Sequence, residues 1–427
     1  MSLDKARQII NEIDREIVRL FEERMDVVRQ VADYKDSHGL PVEDRTRETE
    51  LMAQNVSLLS NSDYRPYYTR FLQSTMNISK DYQRDRIEND LFIKTKSGGY
   101  PVHIGSGLLC CIGELLPLNR KVLIVTDSGV PEQYAMTVAS QCSEAFVFSF
   151  EQGEKSKCLK TYEAILATLT ENGFTRTDCI VAVGGGVVGD LAGFAAATYL
   201  RGVDFYMVPT TLLAQVDASV GGKTAIDFLG YKNIVGSFSA SKGVVIDVDT
   251  LDTLPPRQIA NGMAEVIKMA MTCDADLFAL LEETDEPSEA IIRRAIKIKK
   301  SIVEADEMEC HLRKVLNFGH TLGHAYESAT KNLFHGECVA MGMLPMCHPD
   351  IVRRVERLLH KWGLATEYVG DNESVLEFCR HDKKRKGEAI TLVTVPRIGE
   401  FEIKDISFTD FEKWYRGRNY YEKYIWE

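Results

Sequence analysis

Residues 3–36 carry apolar side chains at Ile10, Ile13, Ile17, Leu20, Val27 and Val31, in alternating steps of three and four. That period predicts one helix of about 34 residues, roughly 50 Å long at 1.5 Å per residue. Two short neighbours cannot cover a stripe of that length, so a partner subunit is implied. Arg24 stands at a step where a leucine would be expected, and an arginine there must snorkel or meet an anion. Arg7 lies on the same helix and Lys35 ends it. Pro41 breaks the helix, Asp44 suits the N-cap of a second over about 45–60, and a third follows over about 65–86. With Arg47 and Glu48 next door, these bases suggest a pocket for a small dianion. An ordinary salt-bridged helix surface is the simpler account of the same residues.

After the polar stretch 85–90 the pattern changes. Lys121–Asp127 and the segments 179–183 and 205–209 are short, apolar and rich in β-branched residues, and helical patterns over 158–172 and 190–200 separate them. The alternation predicts parallel strands in an open α/β sheet. From about residue 256 helices dominate again. The expected architecture is therefore multidomain: an all-α domain over 1–88, an α/β lobe over 89–255 and an α-rich lobe over 256–427. A length of 427 residues fits roughly two to four domains. The formal charge of -12 argues against nucleic acid or an anionic membrane surface as a partner. No segment approaches the roughly 18 apolar residues of a membrane helix. Ten cysteines without a C-x-x-C pair, behind an acidic N-terminus with no apolar signal core, read as reduced thiols in the cytoplasm.

Three motifs carry chemistry. Gly184-Gly-Gly-Val-Val-Gly189-Asp190 fits G-x-G-x-x-G after a predicted strand and at the start of a helix, where backbone N–H groups can cradle a pyrophosphate. A tight strand–helix turn explains the glycines about equally well, but Asp127 closes an earlier strand where a ribose-binding acid could sit. Gly221-Gly-Lys223-Thr224 looks like the end of a phosphate loop, yet Asp217 stands where its first glycine belongs. Nucleotide hydrolysis is not expected, and Lys223 reads as a phosphate or substrate contact beside Asp217. The densest signal is Asn317-Phe-Gly-His320-Thr-Leu-Gly-His324 followed by His335-Gly-Glu337. His320 and His324 share a helix face at i, i+4, and Ala264-Glu265-Val-Ile-Lys268 strands a carboxylate inside an apolar helix. Lys223, Lys232, Lys268, Lys299 and Arg313 surround this cluster in an otherwise acidic chain. Such a set suggests an anionic, phosphorylated substrate.

With these residues in view, the chain from about 92 to 427 resembles 3-dehydroquinate synthase. The matching stretches are Gly153-Glu-Lys-Ser-Lys157, 184–190, 209–223, Lys232-Asn233, 264–268, 317–324 and His335-Gly-Glu337. The resemblance implies NAD on Asp127, Glu154, Lys157, Gly185, Gly186, Asp190, Thr210, Thr211 and Lys232. It implies a divalent metal, zinc or cobalt, on Glu265, His320 and His335. It implies substrate contacts from Arg201, Asp217, Lys223, Asn233, Lys268, Lys299, Arg313, Asn317, His324 and one of Lys383 and Lys384. The implied substrate is 3-deoxy-D-arabino-heptulosonate 7-phosphate, which loses phosphate after a transient oxidation by NAD, with His324 assisting proton transfer.

Residues 1–88 resemble the all-helical chorismate mutase, with Arg7, Arg24, Lys35, Arg47, Glu48, Ser79 and Gln83 implied as contacts to chorismate. That family rearranges its substrate by positioning and electrostatics alone, and forms an interlocked dimer. A homodimer or higher homo-oligomer is thus expected. Two departures stand out: the segment 343–350 is shorter than usual for the synthases, and Gly129 replaces a common polar contact to NAD. The rivals are a related sugar-phosphate cyclase, a metal-dependent polyol dehydrogenase and, for the helical domain, a regulatory module.

Overall fold

The computed structural model describes residues 2–37, 45–89, 91–95, 98–307, 309, 311–330, 332–381 and 389–417. Pro41, Asp44, Lys383 and Lys384 lie outside these residues. The chain forms two compact units, Met1–Leu91 and Phe92–Glu427.

The first unit is helical. α1 (Leu3–Ser37) runs unbroken, α2 (Arg45–Ser57) stops three residues short of the sequence expectation, and α3 (Arg65–Asn89) returns along α1. Between them Val28, Ala32, Leu72 and Met76 are buried. The stripe that defines α1 is not: Ile10, Ile13, Ile17, Leu20, Val27 and Val31 remain 40–57 % exposed. The apolar stripe of α1 is thus left uncovered by the other helices of this unit.

The second unit is built on a seven-stranded sheet. β1 (Leu91–Thr95) and β2 (Gly98–Gly105) are followed by α4 (Ile112–Leu115), β3 (Lys121–Asp127), α5 (Glu132–Ala139) and β4 (Glu144–Phe150). Then come α6 (Leu159–Glu171), β5 (Cys179–Gly184), α7 (Gly186–Thr198) and β6 (Asp204–Pro209). An antiparallel hairpin of β7 (Lys223–Phe228) and β8 (Tyr231–Phe238) precedes β9 (Gly243–Asp247). The order in the sheet is β1-β2-β9-β6-β5-β3-β4, and the pairs from β2 to β4 are parallel. β5 and β9 are buried at every residue, which is why they read as continuous apolar segments rather than alternating ones. From β3 the chain adds β4 on one side and β5 on the other, so the crevice between β3 and β5 is the topological switch point.

α7 begins on the glycine motif, four residues earlier than the sequence expectation. A Cβ on Gly189 would lie 2.6 Å from Met207 Cε of β6, and one on Gly193 would lie 2.5 Å from Thr224 Cγ2 of β7. The glycines therefore let this helix lie against the strands. Gly221 to Thr224 enters the β7–β8 hairpin and not a helix, so no phosphate loop forms there.

After β9 follow α8 (Pro256–Cys273), α9 (Ala275–Glu283), α10 (Glu289–Ala305), α11 (His320–Ala329), α12 (His335–Met343), α13 (Pro349–Lys361) and α14 (Asn372–His381). A two-stranded ribbon of β10 (Ala389–Thr394) and β11 (Glu402–Ser407) leads into α15 (Phe408–Gly417). The short segment after Gly342 packs well: a turn over Leu344–Met346 is buried, and Cys347 bridges to Val395 before α13 starts. No described helix is long and apolar enough to cross a membrane. Ile124, fully buried at the centre of β3, should report the sheet's contribution. Ile124→Ala is expected to cost about 2–5 kcal/mol, read as an earlier urea midpoint for the second unit; an unchanged midpoint would contradict this packing.

Candidate active site

Two close approaches bring the histidines together. Gly319 adopts φ +76°, a left-handed conformation that favours glycine, and starts α11 at His320. Gly336 sits where a Cβ would lie 2.1 Å from Asn261 O of α8, and its N–H donates to Asn261 Oδ1 at 2.6 Å. Glu337 then caps α12 by accepting from Phe334 N at 2.8 Å, and Arg257 holds its carboxylate with two bonds of 2.7 and 2.8 Å. The His335-Gly-Glu337 motif thus pins the start of α12 against α8, beside Glu265.

Glu265 is 1 % exposed, and neither of its oxygens has a hydrogen-bond partner. Lys268 lies at ion-pair distance on the same helix, without hydrogen-bond geometry. The Nε2 atoms of His320 and His335 lie 3.5 and 3.7 Å from Glu265 Oε1. His320 Nδ1–H donates to Phe318 O at 3.0 Å, which turns Nε2 toward Glu265. His335 Nδ1 faces Glu327 Oε2 at 3.2 Å in the same sense. Ligating atoms of His320, His324 and His335 all lie within 4.8 Å of one another. A buried carboxylate without a hydrogen bond, facing imidazole nitrogens, fits a divalent cation of the zinc type. Burial pushes Glu265 up, but Lys268 and His335 outweigh it and hold the carboxyl down at about 2. Burial pulls His335 down, but Glu265 and Glu327 outweigh it and raise the imidazole to about 9.

Around this cluster the cations are buried. Lys268, Lys299 and Arg313 are all nearly inaccessible. Lys299 Nζ donates to Asp217 Oδ1 and to Asp217 O, both at 2.5 Å. Burial lowers Lys299 despite that carboxylate, while Asp217 ends below its usual range because Lys299 overcomes its own desolvation. The expected neighbour of Asp217 was Lys223; the structure instead pairs Lys223 with Glu309, which also accepts from Asn317 Nδ2 at 2.8 Å. Glu309 thus stands between two expected substrate contacts.

The expected nucleotide residues lie along the carboxyl ends of the strands. Asp127 ends β3, Gly185 and Gly186 open α7 after β5, and Thr210 and Thr211 follow β6. Thr210 N donates to Gly184 O at 3.0 Å, closing the turn. A Cβ on Gly185 would come within 3.2 Å of Thr211 Cγ2, so the backbone is bare where a phosphate would approach. Burial raises Asp127 and Asp190 above the usual carboxylate range. Lys157 pairs with Asp190 and donates to Asn233 Oδ1 at 2.5 Å; Asn233 holds a left-handed φ of +52°. Lys232 joins Glu327 at 2.6 Å to Glu154 at 3.9 Å. Gly129 faces Gln152, whose Oε1 would lie 2.0 Å from an added Cβ. This bare crevice, with carboxylates and a lysine at its rim, fits a dinucleotide.

Arg201 is not brought to this cluster. It follows α7, whose 13 residues carry the chain about 20 Å from the glycine turn to the opposite edge of the sheet.

In the helical unit Arg24 Nη1 donates to Ser79 Oγ, and Gln83 Nε2 donates to Ser79 O at 3.2 Å. Burial lowers the Arg24 guanidinium, and Gln83 Oε1 is buried without a partner. Glu48 meets Lys80 Nζ at 3.0 Å. Lys80 was missed by sequence reasoning, although it neighbours Ser79 on α3. Lys35 is half-buried, whereas Arg47 is exposed beside Glu50. Arg7 is exposed and lies about 25 Å from Arg24 along α1, so one copy of the unit cannot bring both to one ligand.

The parallel sheet with its glycine turn, joined to a helical lobe carrying the His–Glu cluster, defines an α/β enzyme. Residues 147–261 match the 3-dehydroquinate synthase N-terminal family, 262–385 the 3-dehydroquinate synthase C-terminal family, and 6–84 chorismate mutase type II. The chain is 39% identical over 350 residues to the 3-dehydroquinate synthase of Streptococcus thermophilus, covering 76% of this chain and 99% of that protein. It is 41% identical over 340 residues to that of Streptococcus sanguinis, covering 74% and 96%. The chain belongs to the 3-dehydroquinate synthase family, here fused to an N-terminal chorismate mutase type II domain.

Among solved structures, 2-deoxy-scyllo-inosose synthase complexed with carbaglucose-6-phosphate, NAD+ and Co2+ superposes with a TM-score of 0.70. It shares 26% identity and covers 77% of this chain and 99% of that one. The 2-epi-5-epi-valiolone synthase of Streptomyces hygroscopicus, with NAD+ and Zn2+ bound, gives 0.69 at 26% identity, covering 76% and 99%.

Were His335 to hold a metal, its raised imidazole would have to shed a proton on uptake. Affinity for Co2+ is expected to rise roughly tenfold from about pH 7 to 8 and to level off above about 9, with about one proton released per ion. Calorimetric titration in buffers of different ionisation enthalpy measures this; a flat profile with no proton release would contradict it.

Proposed function

We propose that the second unit converts 3-deoxy-D-arabino-heptulosonate 7-phosphate to 3-dehydroquinate and phosphate, and that the helical unit converts chorismate to prephenate. The observation that carries the first reading is the buried Glu265, without a hydrogen bond, facing His320 and His335 beside Lys268, Lys299 and Arg313. On this reading Glu265, His320 and His335 hold a zinc or cobalt ion. Asp127, Glu154, Lys157, Gly185, Gly186, Asp190, Thr210, Thr211 and Lys232 hold NAD. When bound, NAD supplies a reversible hydride acceptor and the metal a Lewis acid. Lys223, Lys268, Lys299, Arg313, Asn233 and Asn317 orient the phosphate, carboxylate and hydroxyls, with Asp217 fixing Lys299. The His324 imidazole, beside both metal-facing rings, moves a proton to or from the substrate. The residue division 1–88, 89–255 and 256–427 follows these three tasks.

In the helical unit Arg24, Lys35, Glu48, Ser79 and Gln83 surround the ligand from one copy, with Arg47 at its edge. Arg7 is too far along α1 to join them except from a second copy. The exposed α1 stripe is the surface on which that homodimer forms, and Arg201, remote from its own cluster, likewise serves a neighbouring copy. The nine described cysteines form no disulfide with one another, in keeping with a cytoplasmic setting.

Full-length protein given the heptulosonate phosphate, NAD and metal is expected to release phosphate with no net NADH. Absence of phosphate release, or net NADH with a simple alcohol, would reject the synthase reading in favour of another cyclase or a dehydrogenase. Chorismate given to the same protein is expected to yield prephenate; a protein that binds chorismate unconverted would make the helical unit regulatory. Ile17→Asp is expected to weaken self-association in sedimentation and to cut prephenate formation about a hundredfold. Retained dimerisation through α1 with full mutase activity would contradict the shared pocket.

A further inference from the structure

A chain of charges leads from the nucleotide turn to the His–Glu cluster. Lys232 Nζ of β8 lies 3.9 Å from Glu154 and 2.6 Å from Glu327 Oε1. The other oxygen of Glu327, Oε2, lies 3.2 Å from His335 Nδ1, and His335 Nε2 points at Glu265. Glu327 stands one turn after His324 and two after His320 on α11, so three functional side chains share one helical face.

We propose that Glu327 is a positioning residue for the divalent-metal site: one carboxylate oxygen holds His335 with its proton on Nδ1, while Lys232 holds the other. The inference rests on Glu265, His320 and His335 being metal ligands. An imidazole that donates from Nδ1 to a carboxylate presents its Nε2 lone pair at a fixed angle and is the more basic for it. His320 gains the same orientation from the Phe318 carbonyl, a neutral acceptor two residues away. His335 opens a separate helix, and its acceptor must come from a different element; Glu327 of α11 supplies it. Lys232 occupies the second oxygen, so the carboxylate stays an acceptor for His335 and is kept from swinging onto the metal itself. The Lys232 side chain is half exposed, so this ion pair contributes little to global stability, and the carboxylate's role is expected to show in the metal and not in folding.

The test titrates Co2+ into metal-free, full-length protein and follows its visible absorption. Glu327→Gln is expected to raise the Co2+ Kd about 10–100-fold with an unchanged unfolding midpoint. Glu327→Asp, which keeps the charge beside Lys232 but draws back from Nδ1, is expected to fall between. At saturating Co2+, Glu327→Gln should recover most of its phosphate release, as a ligand-positioning role requires. A Co2+ Kd for Glu327→Gln equal to that of the unaltered protein would overturn the inference; should that variant not fold, an unaltered Kd in Glu327→Asp overturns it in the same way. Unaltered protein that takes up no Co2+ would instead defeat the metal reading on which the inference rests.

Discussion

A carboxylate taken out of water without a hydrogen bond is costly, and Glu265 is such a group. It stands in the middle of α8, whose turns on either side are buried and mostly apolar, Asn261 and Lys268 excepted. Lys268 supplies charge but not hydrogen-bond geometry, and two imidazole nitrogens face the same oxygen. The surrounding architecture keeps that arrangement in place. Gly319 lets α11 begin on His320, Gly336 lets α12 touch α8, and Glu337 with Arg257 fixes the end of α12 that carries His335. Each device orients a histidine-bearing helix terminus rather than adding apolar burial.

The sheet contributes the other half. Its switch point lies between β3 and β5, and the strand ends there present Asp127, the glycine turn and Thr210 along one line. α7 can lie against β6 and β7 only because Gly189 and Gly193 carry no Cβ, which ties the turn's position to helix packing. The β7–β8 hairpin then reaches from sheet to helical lobe: Asn233 meets Lys157 on one side, and Lys232 meets Glu327 on the other. One hairpin in this way touches both the glycine-turn side and the His–Glu cluster.

Much of the fold was legible because buried parallel strands and amphipathic helices leave plain periodicities. β3 spans Lys121–Asp127, as its continuous apolar segment predicts, and α1 runs Leu3–Ser37, as its stripe predicts. The start of α7 was not legible, since glycines read locally as a turn while their helical role depends on Met207 and Thr224, distant in sequence. Lys223 looked like a phosphate-loop lysine because local sequence resembles one; tertiary structure makes it the first residue of a hairpin, paired with Glu309. Glu327 was overlooked because one acidic residue late in a helix is ordinary, although its spacing from His320 and His324 placed it on their face. Arg7 and Arg201 show a further limit: spacing along the chain grouped them with residues from which the fold holds them apart. Helical spacing also pairs His320 with His324, and the structure gathers His335 to the same point without separating their tasks.

That separation is open to direct measurement. The metal content of purified full-length protein and of three single variants, Glu265→Gln, His335→Ala and His324→Ala, tests the central claim. About one zinc or cobalt ion per chain is expected in the unaltered protein and in His324→Ala, which turns over slowly, and none in the other two. Metal retained by His335→Ala or Glu265→Gln, or lost from His324→Ala, would contradict the assignment.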